Sequence, residues 1–213
     1  MTAFSTGLVG VRLPGVGREL TALEADNIDK YLNLLTKWQG SHRLVGSVEP
    51  GWLLQNVVVD SLAFLEAVPP TARRIADIGS GAGLPGVPIA IMRRDLELVL
   101  IEPRRRRASF LSATIRELDL THVSLIESRV EELRVPATFD AAMMRCAGDV
   151  VGLIPVVFPL LRSGGALIAS GMPGRQRSEA PTRGLFPAEI VTVRLPGGSL
   201  RHLRRWVKAD DQK

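Results

Sequence analysis

A single cysteine, Cys146, rules out an internal disulfide and any zinc site built from several thiolates. Its isolation is the usage expected of a reducing compartment. The three histidines, His42, His122 and His202, show no metal-ligand spacing. Aromatic residues make up only 5% of the chain, so it lacks the repeated exposed rings that single-strand binders use as stacking platforms. No apolar run approaches the length of a membrane span, and residues 1–17 lack the basic-then-apolar order of a signal peptide. A cytoplasmic protein without membrane attachment is expected. No repeat, low-complexity tract or feature calling for an obligate protein partner is evident.

What remains is an ordinary globular balance, 46% hydrophobic and 23% charged over 213 residues, enough to bury a real core in one unit. The net charge of +5 is modest, and its placement says more than its sum. Arginines occupy residues 104–107 without a break, with a pair at Arg73 and Arg74 and a group at Arg201, Arg204 and Arg205.

Residues 1–19 have no sustained period and read as a flexible leader. Thr21 with Glu24 three residues on is a capping box, and Ile28, Tyr31, Leu32, Leu34, Leu35 and Trp38 follow at helical spacing. A second helix is expected over 52–65, ending before Pro69-Pro70. Residues 20–70 thus form an N-terminal helical cap on a domain spanning 71–213. There the pattern alternates: a short apolar strand at 74–78, a helix at 84–92, a strand at 96–101 and a helix at 106–118. Strands at 123–127 and 139–145, a helix at 150–161 and a strand at 166–170 follow, the last after a Ser163-Gly164-Gly165 turn. Two runs, 190–195 and 200–207, flank Pro196-Gly197-Gly198 as an antiparallel hairpin. The expected fold is α/β, a mostly parallel seven-stranded Rossmann-like sheet ending in an antiparallel hairpin, as in class I methyltransferases.

The first strand runs into Asp77-Ile78-Gly79-Ser80-Gly81-Ala82-Gly83-Leu84 and then a helix. Such a loop brings backbone close to a ligand at the carboxyl edge of a sheet, where a Cβ would block both turn and approach. Two frames fit. Gly81 to Gly86 satisfies G-x-G-x-x-G, with Glu102 where a ribose-binding acid of a dinucleotide site belongs. The second frame starts at Asp77. A pyrophosphate wants a bare helix N-terminus and no nearby carboxylate, whereas S-adenosylmethionine carries ammonium and sulfonium cations that suit Asp77. The second frame therefore fits better, and Glu102 can accept ribose hydroxyls in either.

The run from Ile75 through Gly79-Ser80-Gly81-Ala82-Gly83-Leu84-Pro85-Gly86 to Ile89 closely resembles the small-subunit ribosomal RNA methyltransferase G family, also called glucose-inhibited division protein B. The resemblance extends to residues 31–38, Asp60-Ser61, Ser128-Arg129-Val130-Glu131-Glu132 and Arg145-Cys146-Ala147, and covers roughly residues 20–171. It implies methylation of guanine N7 in 16S rRNA of the small ribosomal subunit, with S-adenosylmethionine as donor. It further implies that Gly79 and Leu84 contact the cofactor, that Val130 and Glu131 border the adenine, and that Arg145 sits at the mouth of the site. The chain departs from the family pattern at Arg43-Leu44-Val45, Asn56 and Ser170-Gly171, where relatives usually carry Asn-Leu-Thr, His and Lys-Gly.

Guanine N7 has a free lone pair and loses no proton when methylated, so no general base is required. The Asn/Asp-Pro-Pro-aromatic signature of exocyclic-amine methyltransferases is absent at residues 143–146. Cys146 reads as a small apolar residue at a strand end rather than a nucleophile. Arg145 suits a phosphate or a guanine edge; its structural alternative is a salt bridge to Asp140 or Asp149. The run at 104–107 is a solvated helix face or an RNA-phosphate contact in equal measure, and Arg175, Arg177, Arg183 and the group at Arg201, Arg204 and Arg205 could extend the same face. Trp38 and Trp52 read as core. A methyltransferase acting on another RNA or a small molecule, a weakened RNA-binding assembly factor and an NAD-dependent oxidoreductase remain as alternatives.

Overall fold

Four strands alternate strictly between two apolar layers, which is what sheet geometry demands of a chain buried on both faces. Ile75, Leu98, Leu100, Ala141, Met143, Ala166 and Ile168 point into one layer. Ala76, Val99, Ile101, Ala142, Met144 and Leu167 point into the other. The computed structural model describes residues 4–145, 150–170 and 189–209. Cys146, Asp149, Arg175, Arg177 and Arg183 lie outside them.

Among the described residues, seven strands pair in the order β3-β2-β1-β4-β5-β7-β6. They are β1 (Arg74–Ile78), β2 (Glu97–Ile101), β3 (Val123–Ile126), β4 (Phe139–Arg145), β5 (Leu161–Ser170), β6 (Glu189–Arg194) and β7 (Leu200–Val207). β1 to β5 run parallel, and β7 is antiparallel to both β5 and β6. This is the mostly parallel sheet with a C-terminal hairpin that the sequence predicts. The order reverses between β1 and β4, so the crevice at their carboxyl ends is the switch point where open α/β sheets bind ligands.

Among the described residues, six helices dress the sheet: α1 (Ala22–His42), α2 (Pro50–Leu53), α3 (Asp60–Leu62), α4 (Gly86–Met92), α5 (Arg105–Glu117) and α6 (Val150–Val157). A π-helical stretch, Leu54–Val59, joins α2 to α3, and a 3-10 turn, Ala63–Glu66, ends the run. α1 begins as predicted: the Glu24 amide donates to Thr21 Oγ1 at 3.3 Å and the Thr21 amide to Glu24 Oε2 at 2.8 Å. The ion pair with Arg18 at 2.7 Å holds the Glu24 carboxyl down at about 2.

Two expectations change. Residues 1–19 are not a loose leader where described: Phe4–Leu8 forms a 3-10 turn, and Phe4, Leu8 and Leu13 are buried in the main core. Three apolar side chains without a sustained period give no helical or strand signal in sequence, yet each fills a gap beside α1. Ser163-Gly164-Gly165 does not precede β5 but lies inside it, at a register shift opposite Phe139 and Ala141. Gly164 takes φ +73° there, and Lys208 closes the irregularity through reciprocal backbone bonds at 2.8 and 3.0 Å.

Candidate donor and acceptor cavity

The chain turns sharply at the end of β1 because successive glycines adopt backbone angles closed to other residues. Gly81 has φ +59° and Gly83 φ +90°. A Cβ on Gly83 would lie 2.5 Å from Val87 Cγ2, so this glycine lets the loop pack on α4 rather than on a ligand. Tyr31, buried in α1, donates its hydroxyl to the Ala82 carbonyl at 2.7 Å, bracing the loop from the N-terminal side. Burial pushes the Tyr31 phenol upward, so it stays a neutral donor.

The loop opens onto a cavity of about 980 Å³ at the carboxyl edge of the sheet. One side is the loop itself with Gly79, Ser80, Gly81, Ala82 and Leu84. Glu102 follows β2 directly, and Val130 and Glu131 come after β3. Ile78, Ile101, Val130 and Leu153 supply apolar surface, while Arg145 closes the far end. The opposite wall comes from the N-terminal cap, through Leu44, Val45, Gly46, Trp52 and Asn56. Eight sequence-predicted site residues therefore meet here: Gly79, Ser80, Gly81, Leu84, Glu102, Val130, Glu131 and Arg145.

Asp77 and Gly83 do not line the cavity. Asp77 sits fully buried behind the loop, where Oδ2 accepts from the Gly86 amide at 3.0 Å. A Cβ on Gly86 would fall 2.7 Å from that oxygen and 2.5 Å from Leu100 Cδ2, so Gly86 is the only residue type the brace admits. The carboxylate assigned in sequence to the donor's cations instead fastens the helix that follows the loop. Asp77 Oδ1 has no partner among the described residues.

Burial is the largest influence on Asp77 and pushes its carboxyl up to about 7, against the hydrogen bond from Gly86. The folded protein therefore keeps a proton that the unfolded chain releases, and stability falls as pH rises from about 4 to about 7. Below that window both states are protonated and above it both are ionised. A rise from 3.8 to about 7 corresponds to a cost of about 4 kcal/mol for this group. Asp77→Asn keeps an acceptor for Gly86 and removes the titration. Urea unfolding across this range should show a flatter stability profile for the variant, and it should gain on the parent above pH 7. Parallel profiles would refute the assignment.

Glu102 is 2% exposed. Its Oε2 accepts from the Gly81 amide at 2.8 Å and its Oε1 from the Arg104 amide at 2.9 Å. One carboxylate thus pins the glycine loop to the end of β2, and each oxygen keeps a further lone pair for a ligand hydroxyl.

Arg145 does not pair with Asp140. That residue lies five positions back along β4, about 16 Å at strand rise, and accepts from the Arg73 and Arg74 amides, each at 2.8 Å, while pairing with Arg162. The partner is Asp60, 2.9 Å away at the start of α3. Arg145 also donates to the Asn56 carbonyl and to Ser61 Oγ. Asp60 further pairs with Arg201 of β7, so one buried carboxylate serves two guanidinium groups.

Sequence reasoning missed the pairing of Asp60 with Arg145 and Arg201, and the cap wall. The available signal was a carboxylate inside the apolar run 57–65, which demands a partner. Trp52, read as core, lies partly buried in the cavity wall, whereas Trp38 packs edge-on to Phe110 with centroids 5.7 Å apart. Arg104 and Arg107 line the cavity, and none of the arginines at 104–107 makes an ion pair among the described residues.

Comparison with known proteins agrees with this geometry. The sequence model of the rRNA small subunit methyltransferase G family matches residues 24–179. A ribosomal RNA small subunit methyltransferase G of Xanthomonas axonopodis pv. citri is 33% identical over 181 residues, covering 84% of each chain. One from Sorangium cellulosum is 34% identical over 212 residues, covering 91% of this chain and 85% of the relative. A SAM-dependent methyltransferase of Aquifex aeolicus superposes with a TM-score of 0.57 at 14% identity, over 75% of this chain and 93% of that one. A putative S-adenosyl-L-methionine-dependent methyltransferase of Methanococcus maripaludis gives 0.57 at 13% identity, over 92% and 98%. These structures share the fold, and the sequence matches go further: the chain belongs to the rRNA small subunit methyltransferase G family.

Proposed function

We propose that the chain transfers the methyl group of S-adenosylmethionine to N7 of a guanine in 16S rRNA of the small ribosomal subunit. The observation that carries this reading is the cavity at the switch point, lined by Glu102, the glycine loop and a surplus of arginines, in a member of this family. The residues fit the donor. Glu102 offers lone pairs to ribose hydroxyls, Ile101, Val130 and Leu153 give an apolar seat for adenine, and the bare backbone of Gly79 and Gly81 permits close approach. When bound, the donor supplies an electrophilic sulfonium methyl group.

Catalysis then rests on orientation. The cap (20–70) covers the donor-binding domain (71–213) and excludes water from the reacting centre. The acidic side chains that line the cavity are Glu102 and Glu131, and no His, Lys or Cys does so among the described residues. Glu102 is committed to two backbone amides, so no base is poised over the acceptor. An acceptor atom that loses no proton is the chemistry this cavity suits. A substrate of this kind also places the protein in the cytoplasm, and among the described residues no helix is long and apolar enough to cross a membrane.

The deciding experiment is mass-spectrometric mapping of 16S rRNA from a strain lacking the gene, together with methyl transfer to small subunits, protein-free rRNA and a metabolite pool. One N7-methylguanosine should disappear from the strain and return when purified protein and donor are added. Absence of S-adenosylmethionine binding by calorimetry, or label confined to small molecules, would remove the proposal.

A further inference from the structure

The Asp60 cluster is unbalanced. Its carboxylate, 2% exposed, is shared by Arg145 and Arg201, whose side chains are only 13% and 16% exposed. Among the described residues, two guanidinium groups stand against one carboxylate and leave a positive charge largely withdrawn from water. A cluster serving only to hold the fold would be neutral, because an uncompensated buried charge is costly. Among the described residues Asp77 is the other acid that influences Arg145, and with its carboxyl pushed up to about 7 by burial it carries only about half a charge at pH 7. Arg201 spends Nε and Nη2 on Asp60, while its Nη1 makes no hydrogen bond among the described residues. Both arginines line the cavity.

The donor cannot balance this charge. S-adenosylmethionine carries a sulfonium, an ammonium and one carboxylate, and so brings a net positive charge of its own. The wall already holds Arg104, Arg107 and Arg129 against Glu131, with Glu102 engaged by the loop. The missing anion therefore belongs to the acceptor. Arg201 lies on β7, beyond the residues 24–179 that match the family model, so family resemblance gives it no role.

We infer that Arg201, held by Asp60, binds a backbone phosphate of the acceptor RNA beside the target base. The inference rests on the proposed RNA substrate. Asp60 orients the Arg201 fork so that Nη1 meets the phosphate oxygen, and it spaces Arg201 from Arg145 at the same mouth. Asp60 is a positioning residue here, whereas Arg201 touches substrate.

The test compares the full-length protein with Arg201→Gln and Arg201→Lys. Donor-site binding is read by calorimetry with S-adenosylhomocysteine, RNA binding by filter retention of protein-free small-subunit rRNA, and turnover by methyl transfer. Arg201→Gln should leave S-adenosylhomocysteine binding within twofold and weaken RNA binding at least tenfold. KM for RNA should rise more than kcat falls, and the slope of log affinity against log salt should drop by about one. Arg201→Lys should restore the slope and part of the affinity. Weakened S-adenosylhomocysteine binding with unchanged RNA binding would assign Arg201 to the donor's carboxylate and overturn the inference. Unchanged binding of both would reduce it to a brace, with the same consequence. RNA retention needs no turnover, so a parent protein that binds RNA through Arg201 but fails to methylate it separates the failure of the proposed function from the failure of this inference. If Arg201→Gln lowers the melting temperature sharply, the lysine variant, which keeps the charge, carries the comparison.

Discussion

Replacing Glu102 by alanine should weaken S-adenosylhomocysteine binding by at least 100-fold, measured by calorimetry on protein whose circular dichroism is unchanged. The magnitude follows from two losses that occur together. Glu102 is the group placed to accept ribose hydroxyls, and hydrogen bonds to a charged partner are worth about 1.5–3 kcal/mol each. The same carboxylate also fixes the loop through the Gly81 and Arg104 amides, at 2.8 and 2.9 Å, so its removal frees the backbone that the donor must meet. Glu102→Gln separates these contributions. The amide has the same shape, but one of its ends now donates, and whichever end that is faces a backbone N–H. It should therefore cost at least tenfold, despite being nearly isosteric. Binding within threefold of the parent in both variants would show that Glu102 is only a loop brace. A loss in the alanine variant with none in the glutamine variant would show that charge is irrelevant there.

Much of the fold was legible because its signals are local. The short continuous apolar runs of β1, β2 and β4 and the glycine punctuation at the end of β1 appear directly in the order of residues. So does the capping box at Thr21 and Glu24. The cavity floor was legible for the same reason: Gly79, Gly81, Leu84 and Glu102 lie on the turn and strand ends that the pattern locates.

What could not be read depends on direction or on distance along the chain. Asp77 and Glu102 are both acids at or near a strand end. Nothing in their spacing says that Asp77 turns toward Gly86 while Glu102 reaches the cavity. Asp60 lies 141 residues from Arg201, and no periodicity links a helix start to a C-terminal hairpin. The structural alternative for Arg145, a salt bridge to Asp140 or Asp149, rests on nearness in sequence, but Asp140 lies at the opposite end of β4 and Asp149 lies outside the described residues. The departures Arg43-Leu44-Val45 and Asn56 gain meaning only in three dimensions. Leu44, Val45 and Asn56 form part of the cap wall, and Arg43 takes the left-handed turn, φ +47°, that carries the chain from α1 into it.

The Asp60 cluster carries the largest stability prediction. Asp60→Ala leaves two guanidinium groups facing each other, each at most 16% exposed, with no carboxylate between them. Removing one partner of a buried pair typically costs about 3–5 kcal/mol, and urea unfolding at pH 7 should show a loss of that size. Arg201→Leu should cost less, because Asp60 keeps Arg145, and Arg145 keeps Asn56 and Ser61. The double variant, Asp60→Ala with Arg201→Leu, should be more stable than Asp60→Ala alone. Deleting the second guanidinium removes the repulsion that the first substitution exposed, and residues in one network are not additive. Additive losses would mean that water screens the pair and that the cluster is not a closed electrostatic unit. The contact also spans the cavity, joining the cap at α3 to the hairpin at β7. Hydrogen exchange in β7 and in residues 50–66 should therefore accelerate together in Asp60→Ala while β1 to β3, which Asp60 does not touch, keep their protection.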